Sequence, residues 1–343
     1  MNKFRKTMVL VLSLILFIIT GCGQSKHIET VARPPLIPSN TQYPVKIINY
    51  DSREKPAVYT YYKAPRKVVI THPGATELML DLGLENHILS TIALYGAPLP
   101  KHTEKYAKLN IMKAVYTPSV EELIIMQPDM IIGWSHHFHD SALGDVNTWH
   151  DRGIATYIMP VSLSKHKPTI DSAVYSLIND IGKIFDIQSK TNLYIQEYQR
   201  RISYIEQSIA DIQTKKTVMV LQDHGNGNYS LYDGNYLISD MISVAGGIHI
   251  ADNMKSIVGA ERVLSYDPDF IIYVSTNRNG SNKDLTDQEA ITHLNQIEEL
   301  KNIRAIQEGK IINLPFFTVN NGGIRTVDSI EKIAHALYPE KFR

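Results

Sequence analysis

PTIDSAVYSLINDIGKIFDIQSKTNLYIQEYQRRISYIEQSIADIQ, residues 168 to 213, is the one long segment that reads as continuous helix, and it divides two halves of the chain that resemble each other. After Pro168 no proline occurs until Pro268. Apolar or aromatic side chains at Ile187, Tyr194, Tyr198, Ile202, Ile205, Ile209 and Ile212 fall mostly three or four apart, with Gln, Glu, Arg and Lys between them. That period gives a helix one buried face. Ile170, Val174, Leu177, Ile178, Ile181 and Phe185 keep the same period ahead of it, whereas Gly182 and Asp186 to Ser189 argue against a single straight rod. The expectation is two abutting helices with a short break. At about 1.5 Å rise per residue the second would run roughly 35 Å, a spine able to cross one domain and reach the next.

Across this spine the sequence echoes itself. Upstream, Glu121-Glu-Leu-Ile-Ile-Met-Gln-Pro128-Asp129 runs into Met130-Ile-Ile-Gly133; downstream, Glu261-Arg-Val-Leu-Ser-Tyr-Asp-Pro268-Asp269 runs into Phe270-Ile-Ile-Tyr-Val274. Any short helix, proline-marked turn and buried parallel strand gives this pattern once. Twice, in equivalent places, it predicts duplicated lobes.

Outward from that pair, the chain begins with Lys3, Arg5 and Lys6 before an apolar run from Met8 to Ile19, too short for a stable membrane span but right for a signal-peptide core. Ile19-Thr-Gly-Cys22 follows and resembles a bacterial lipobox, in which the thiol is lipidated and cleavage leaves Cys22 first. Cys22 is the only cysteine, so the processed chain has no intramolecular disulfide. Losing the three leader cations moves the balance from 35 against 35 to 32 against 35, with charges interspersed, and nothing in it favours nucleic acid. The expected organisation is a leader over 1–22, a polar, proline-containing tether over 23–42, a first lobe over 43–167, the linker helix over 168–213 and a second lobe over 214–343.

Runs at Val45 to Asn49 and Ala57 to Tyr61 read as an edge hairpin leading into Lys67-Val-Val-Ile-Thr71, the first strand of a parallel sheet. Helices are expected at Ala75 to Leu82, Val120 to Met126 and Val146 to Arg152, with strands at His87 to Ile92, Met130 to Gly133 and Thr156 to Met159. The second lobe repeats the alternation, with strands at Thr217 to Leu221, around His249, at Phe270 to Ser275 and at Lys310 to Leu314. Its helices are expected at Tyr236 to Val244, Ala260 to Ser265, Gln288 to Ala305 and Ile324 to Leu337. Alternating strands and helices make an α/β fold of parallel sheets covered on both faces, with ligands bound beyond the carboxyl ends of the strands.

Pro44-Val-Lys-Ile-Ile, Arg66-Lys-Val-Val-Ile-Thr-His-Pro-Gly-Ala-Thr-Glu77-Leu, the Glu121 and Glu261 units, Ala245-Gly-Gly and Tyr338-Pro-Glu-Lys-Phe342, in this order, resemble the substrate-binding proteins of ABC importers for ferric siderophores, haem and cobalamin. The resemblance covers nearly the whole chain from about Tyr43. It implies two Rossmann-like lobes joined by a long rigid helix, a shallow cleft, no reaction and no cofactor of its own. The ligand it implies is an iron chelate, ranked as ferric siderophore before haem and cobalamin. The partners it implies are a permease dimer with its ATPase, and the membrane itself through a lipid anchor on the extracytoplasmic side.

Residues just past strand ends mark the candidate cleft: His72, Tyr95, Trp134 to His139, Arg278, and Phe316 with Phe317. Flat rings, a few directional donors and one guanidinium suit a bulky, partly apolar, often anionic chelate. Each ring alone can equally be core packing, and Arg278 a solvated loop charge. Within Trp134-Ser-His-His-Phe-His139, the imidazoles of His136, His137 and His139 could ligate a metal, offer an axial ligand to haem or hydrogen-bond a chelate's periphery; a plain polar loop is the other reading. No Gly-x-Gly-x-x-Gly, Gly-x-Ser-x-Gly, Walker loop or His-Glu-x-x-His occurs, so a zinc enzyme built on the histidine loop is remote and a receptor for bare metal ions is the nearer rival. Finally, Glu121 and Glu261 stand where a carboxylate is favoured by the helix dipole alone. By the family resemblance they also match a carboxylate pair that docks on permease arginines.

Overall fold

The computed structural model describes residues 43–251, 257–276, 284–319 and 321–343. The leader, Cys22, the tether and Arg278 lie outside them. Strands β1 (Val45–Tyr50) and β2 (Pro56–Tyr61) pair antiparallel as a two-stranded sheet of their own. The hairpin is therefore not an edge of the first parallel sheet. It is held to that sheet by side chains: Asn49 donates to Ile158 O at 3.0 Å and accepts from Ile158 N at 2.8 Å, and Tyr61 OH donates to Thr156 O at 3.2 Å.

The first sheet has β3 (Val68–Ile70), β4 (Ile88–Thr91), β5 (Met130–Gly133) and β6 (Ala155–Ile158), all parallel, in the order β4-β3-β5-β6. Between these strands lie α1 (Pro73–Asp81), α2 (Val120–Met126) and α3 (Val146–His150). Met130 to Gly133 is buried throughout, as expected of a parallel strand covered on both faces.

The second sheet has β7 (Thr217–Asp223), β8 (Asn228–Leu231), β9 (Ile248–His249), β10 (Val258–Gly259), β11 (Phe270–Ser275) and β12 (Ile311–Pro315). Its parallel members follow the order β9-β7-β11-β12, the order of the first sheet. The departure is β8, which takes the end of β7 antiparallel and carries β10 outside it. Its helices are α6 (Leu237–Val244), α7 (Ala260–Leu264), α8 (Asp287–Asn295), α9 (Arg304–Gln307), α10 (Phe316–Val319) and α11 (Thr326–Leu337). The helix expected from Gln288 to Ala305 is thus broken between α8 and α9.

The echo in sequence is an echo in structure. In both units the helix feeds its strand through a buried proline, Pro128 or Pro268. Each following aspartate bonds backbone at the start of the neighbouring strand: Asp129 accepts from Arg66 N and Lys67 N at 2.7 and 2.8 Å, and Asp269 from Thr217 N at 2.9 Å.

Between the sheets run α4 (Ser176–Ile184), entered through a wide helical turn at 170–175, and α5 (Gln188–Ser208). The break falls at Phe185 to Ile187, with Asp186 at φ 57°. Gly182 is no breaker. It lies within α4 where a Cβ would collide with Thr191 Oγ1, so the residue permits the close crossing of the two helices. From α5, Tyr194 bonds Asp81 at the end of α1, Tyr198 OH donates to Ile324 O at 2.6 Å, and Arg201 grips Glu331 and Asp328 on α11. Ile178, Ile181, Ile195, Tyr198 and Ile205 belong to a single apolar core that takes in both faces of the first sheet and one face of the second, through Val218, Val220, Ile272 and Val274. A second core covers the other face of the second sheet, where Met219, Leu221, Ile271 and Tyr273 alternate with the first set. Both sheets and the helices between them belong to one compact unit.

Candidate ligand-binding cleft

Strand ends deliver the rings. His72 follows β3 and caps α1, Trp134 follows β5, and Phe316 follows β12. Phe316 lies 6.3 Å from Tyr95; Tyr95 meets His72 edge-on at 6.4 Å; His72 stacks on Trp134 at 4.3 Å and 17°; and Trp134 meets His136 edge-on at 5.5 Å. This continuous aromatic series runs from the second sheet to the first. Of its members Trp134, His136 and Phe316 line a cleft of about 540 Å³, with Ser162 and Ser164 on one side and Gln222, His224, Ser230, Tyr232, Asp233 and Tyr236 on the other, whereas His72 and Tyr95 pack behind them and do not line it. Tyr232 and Tyr236 pack edge-on at 4.8 Å, and Tyr232 OH donates to Gln222 Oε1 at 2.7 Å. A wider open groove of about 640 Å³ runs along β2 past Asp129 and Ala155, at the amino ends of the strands, and shares no lining residue with this cleft.

The floor is uncharged. His72 Nδ1 accepts from Gly74 N at 3.2 Å, leaving the proton on Nε2, and burial together with His137 and His136 holds the ring well below the usual histidine range. His137 Nδ1 accepts from Trp134 N at 3.3 Å and lies 2.9 Å from Thr71 Oγ1, and burial first, then His136, pushes its pKa down to about 3. Gly133 lets the loop turn this tightly, because a Cβ there would strike Thr71 Oγ1. His137 is consequently a buried brace behind Trp134, whereas His136 faces the cleft and His139 is exposed without lining it. The His136 and His137 rings stand nearly perpendicular at 4.4 Å. Among the described residues no three His, Cys, Asp or Glu side chains form a metal cage.

Phe317 is buried below the cleft, and Arg325 lies over its ring at 4.5 Å. That guanidinium, at the start of α11, donates to Glu77 of α1 at 2.9 and 2.6 Å and to Ala97 O at 2.7 Å. Burial raises the Glu77 carboxyl above the usual range even with Arg325 drawn against it. The pair ties the two halves together beneath the aromatic series.

Two sets of residues escaped the sequence. One is the wall built by β7, β8 and the following turn; Asn226-Gly227, both at positive φ, is the hairpin signal that points to it. The other is Glu54, a buried residue at φ 60° on the tip of the β1–β2 hairpin. Its carboxylate accepts from Ser135 Oγ at 2.8 Å, Ser164 Oγ at 3.1 Å and Lys165 N at 3.0 Å, fastening both loops of the first wall. Burial alone would raise this carboxyl, but those hydrogen bonds outweigh it and hold it low.

Two sheets of one strand order, joined by packed helices around a ring-lined cleft, define the architecture, and the family model described as periplasmic binding protein matches residues 68–317. The chain belongs to that family. Its members are substrate-binding proteins of ABC transporters and not enzymes, and this chain is one of them. It is 21% identical over 289 residues, 83% of either chain, to an uncharacterized ABC transporter substrate-binding lipoprotein, YvrC, of Bacillus subtilis (strain 168). The solved structure of a periplasmic binding protein from Veillonella parvula DSM 2008 is similar with a TM-score of 0.75 at 24% identity, covering 88% of this chain and 93% of that one. A structure from the ABC-type Fe3+-hydroxamate transport system of Saccharomonospora viridis DSM 43017 is similar at 0.65 and 20%, covering 88% and 99%.

Proposed function

We propose that the protein is a lipid-anchored extracytoplasmic receptor that captures a ferric siderophore in the cleft and hands it to the permease of an ABC importer. The observation that carries this reading is the cleft's chemistry: the rings of Trp134 and His136 on one side and of Tyr232, Tyr236 and Phe316 on the other, with hydroxyl and amide groups among them, at the carboxyl ends of both sheets. Flat rings pack the apolar parts of a bulky chelate, and hydroxyls, amides and neutral imidazoles bond its oxygen periphery. The likeness to a Fe3+-hydroxamate system supports a hydroxamate before haem or cobalamin. The anchor is Cys22, in keeping with the lipoprotein relative, and among the described residues no helix is long and apolar enough to cross a membrane. The delivery contacts are Glu121 and Glu261, each exposed at the second position of its helix.

Tryptophan fluorescence tests the ligand. Trp149 is fully buried with its N–H on Leu143 O, so it supplies a constant background against which Trp134 reports. Saturable one-to-one quenching by a ferric hydroxamate is expected. Quenching by haem or cobalamin at lower concentration overturns the siderophore assignment, and stoichiometric zinc or iron retained through gel filtration without chelator replaces it with a metal-ion receptor.

A further inference from the structure

The exposure of residues 121–129 and 261–269 matches position by position. In each unit a buried aliphatic, Leu123 or Val263, anchors the helix, and the acid two residues before it faces solvent. Three residues after that acid, on the same helix face, stands an exposed aliphatic: Ile124 at 44% after Glu121 and Leu264 at 45% after Glu261. Exposed apolar side chains also sit just ahead of each helix, Tyr116 in the first lobe and Ile257 in the second. One exposed aliphatic is ordinary. An acid and an aliphatic repeated together on both lobes, at matched exposure, are two copies of one small surface.

An ion pair left in water contributes little to association, because solvent competes for both charges and salt screens them. Apolar neighbours that exclude water around the contact change this. An arginine suits such a surface well, with its guanidinium on the carboxylate and its methylene stem along the aliphatic side chain. Two equivalent surfaces call for a partner with two equivalent halves, as a permease dimer has. We infer that Ile124 and Leu264 complete the permease-docking surface, each acting as the apolar half of an acid–aliphatic pair with Glu121 or Glu261. This inference rests on the docking assignment made above for those acids.

The test measures capture of the full-length receptor by the permease–ATPase complex of its source organism in lipid nanodiscs, with quenching of Trp134 by a ferric hydroxamate as the folding and binding control. I124S/L264S is expected to weaken capture about tenfold while leaving quenching and the melting temperature unchanged. E121R/E261R is expected to abolish capture, and I48S, an exposed aliphatic on the hairpin, to leave it as in the parent. Parent-like capture by I124S/L264S alongside loss in E121R/E261R overturns the inference and leaves the acids' role standing. Parent-like capture by both double variants overturns both. Equal loss in I48S shows a general response to surface polarity and also overturns it. So does concentration-dependent self-association of the parent that I124S/L264S removes, which would give these faces to a second copy of the chain.

Discussion

Loops make the first wall of the cleft, and a strand pair with the turn that follows it makes the second. On the first, Trp134 to Phe138 and Pro160 to Ser164 leave the ends of β5 and β6 and are fastened from below by Glu54. On the second, Gln222, Ser230 and Leu231 belong to β7 and β8, whose pairing Leu221↔Leu231, Gln222↔Ser230 and Asp223↔Tyr229 sets their spacing through the backbone. A ladder spreads its load over several bonds, while one carboxylate with three donors concentrates it. The same strand order therefore supports two walls of unequal fragility, and substitutions can separate them.

The largest effect is expected at the join between the walls. Arg325→Ala leaves the Glu77 carboxylate, 1% exposed, without its partner, and losing one member of a buried pair costs about 3–5 kcal/mol. Urea unfolding should show that loss, with part of it returning as pH falls, because Glu77 can then take a proton. A loss under about 1 kcal/mol, within the range of an exposed pair, would mean that the two halves are held by their shared core and the bonds of α5. In the parent the same join, with α5 bonded to both sides, predicts nearly coincident X-ray scattering with and without chelate.

Glu54→Ala comes next. It strands the donors of Ser135, Ser164 and Lys165, for about 2 kcal/mol of stability. It should also weaken chelate binding about tenfold by loosening the loop that carries Trp134. Glu54→Gln, which keeps an acceptor oxygen, should recover part of both. The mirror change on the sheet-built wall, Ser230→Ala, should cost less than about 0.5 kcal/mol. Equal losses from the two variants would erase the distinction between loop-built and sheet-built walls.

The same contrast explains what the sequence made legible. Helix Val120–Met126 and strands Met130–Gly133 and Phe270–Ser275 have the boundaries their residues suggest, because buried parallel strands are continuous apolar runs between turn residues. His72, Tyr95 and Trp134 are readable as neighbours for the same reason, since strand ends of one sheet lie side by side, and Phe316 meets them from the end of β12 in the second sheet. The four-residue β8 and two-residue β10 are too short for any period to register. Glu54 is invisible because its donors stand 81 and 110 residues away and nothing local marks it. The hairpin's attachment through Asn49 and Tyr61 is likewise a matter of side chains, which periodicity cannot distinguish from a backbone ladder.

Ligand contact on both walls is a smaller and sharper question. Trp134→Ala and Tyr236→Ala, one from each wall, are each expected to weaken ferric-hydroxamate binding about tenfold, near 1.4 kcal/mol. Isothermal titration distinguishes the cases. Loss in only one variant would put the chelate on a single wall and leave the other as a lid.

The smallest expected effect is a difference in acid sensitivity between the lobes. Burial is the leading cause that depresses His72, His102, His136, His137 and His150 in the first lobe, against His249 alone in the second. An unfolded histidine takes its proton near pH 6.5. His137, held down to about 3, and His249, to about 4, refuse it until far lower. Within that window the unfolded chain binds more protons than the folded one, so stability is complete above about pH 6.5 and declines as pH falls. The decline reaches at most about 1.4 kcal/mol per pH unit for each such group. With more of them in the first lobe, hydrogen exchange at pH 5 compared with pH 7 should show protection falling further in β3 and β5 than in β7 and β11. His137→Asn, which keeps an acceptor for Trp134 N but does not titrate, should narrow the gap. The apolar core shared through α4 and α5 works against this asymmetry by coupling the lobes. If protection falls equally in both sheets, and His137→Asn shifts both together, that coupling dominates and the lobes open in acid as one body.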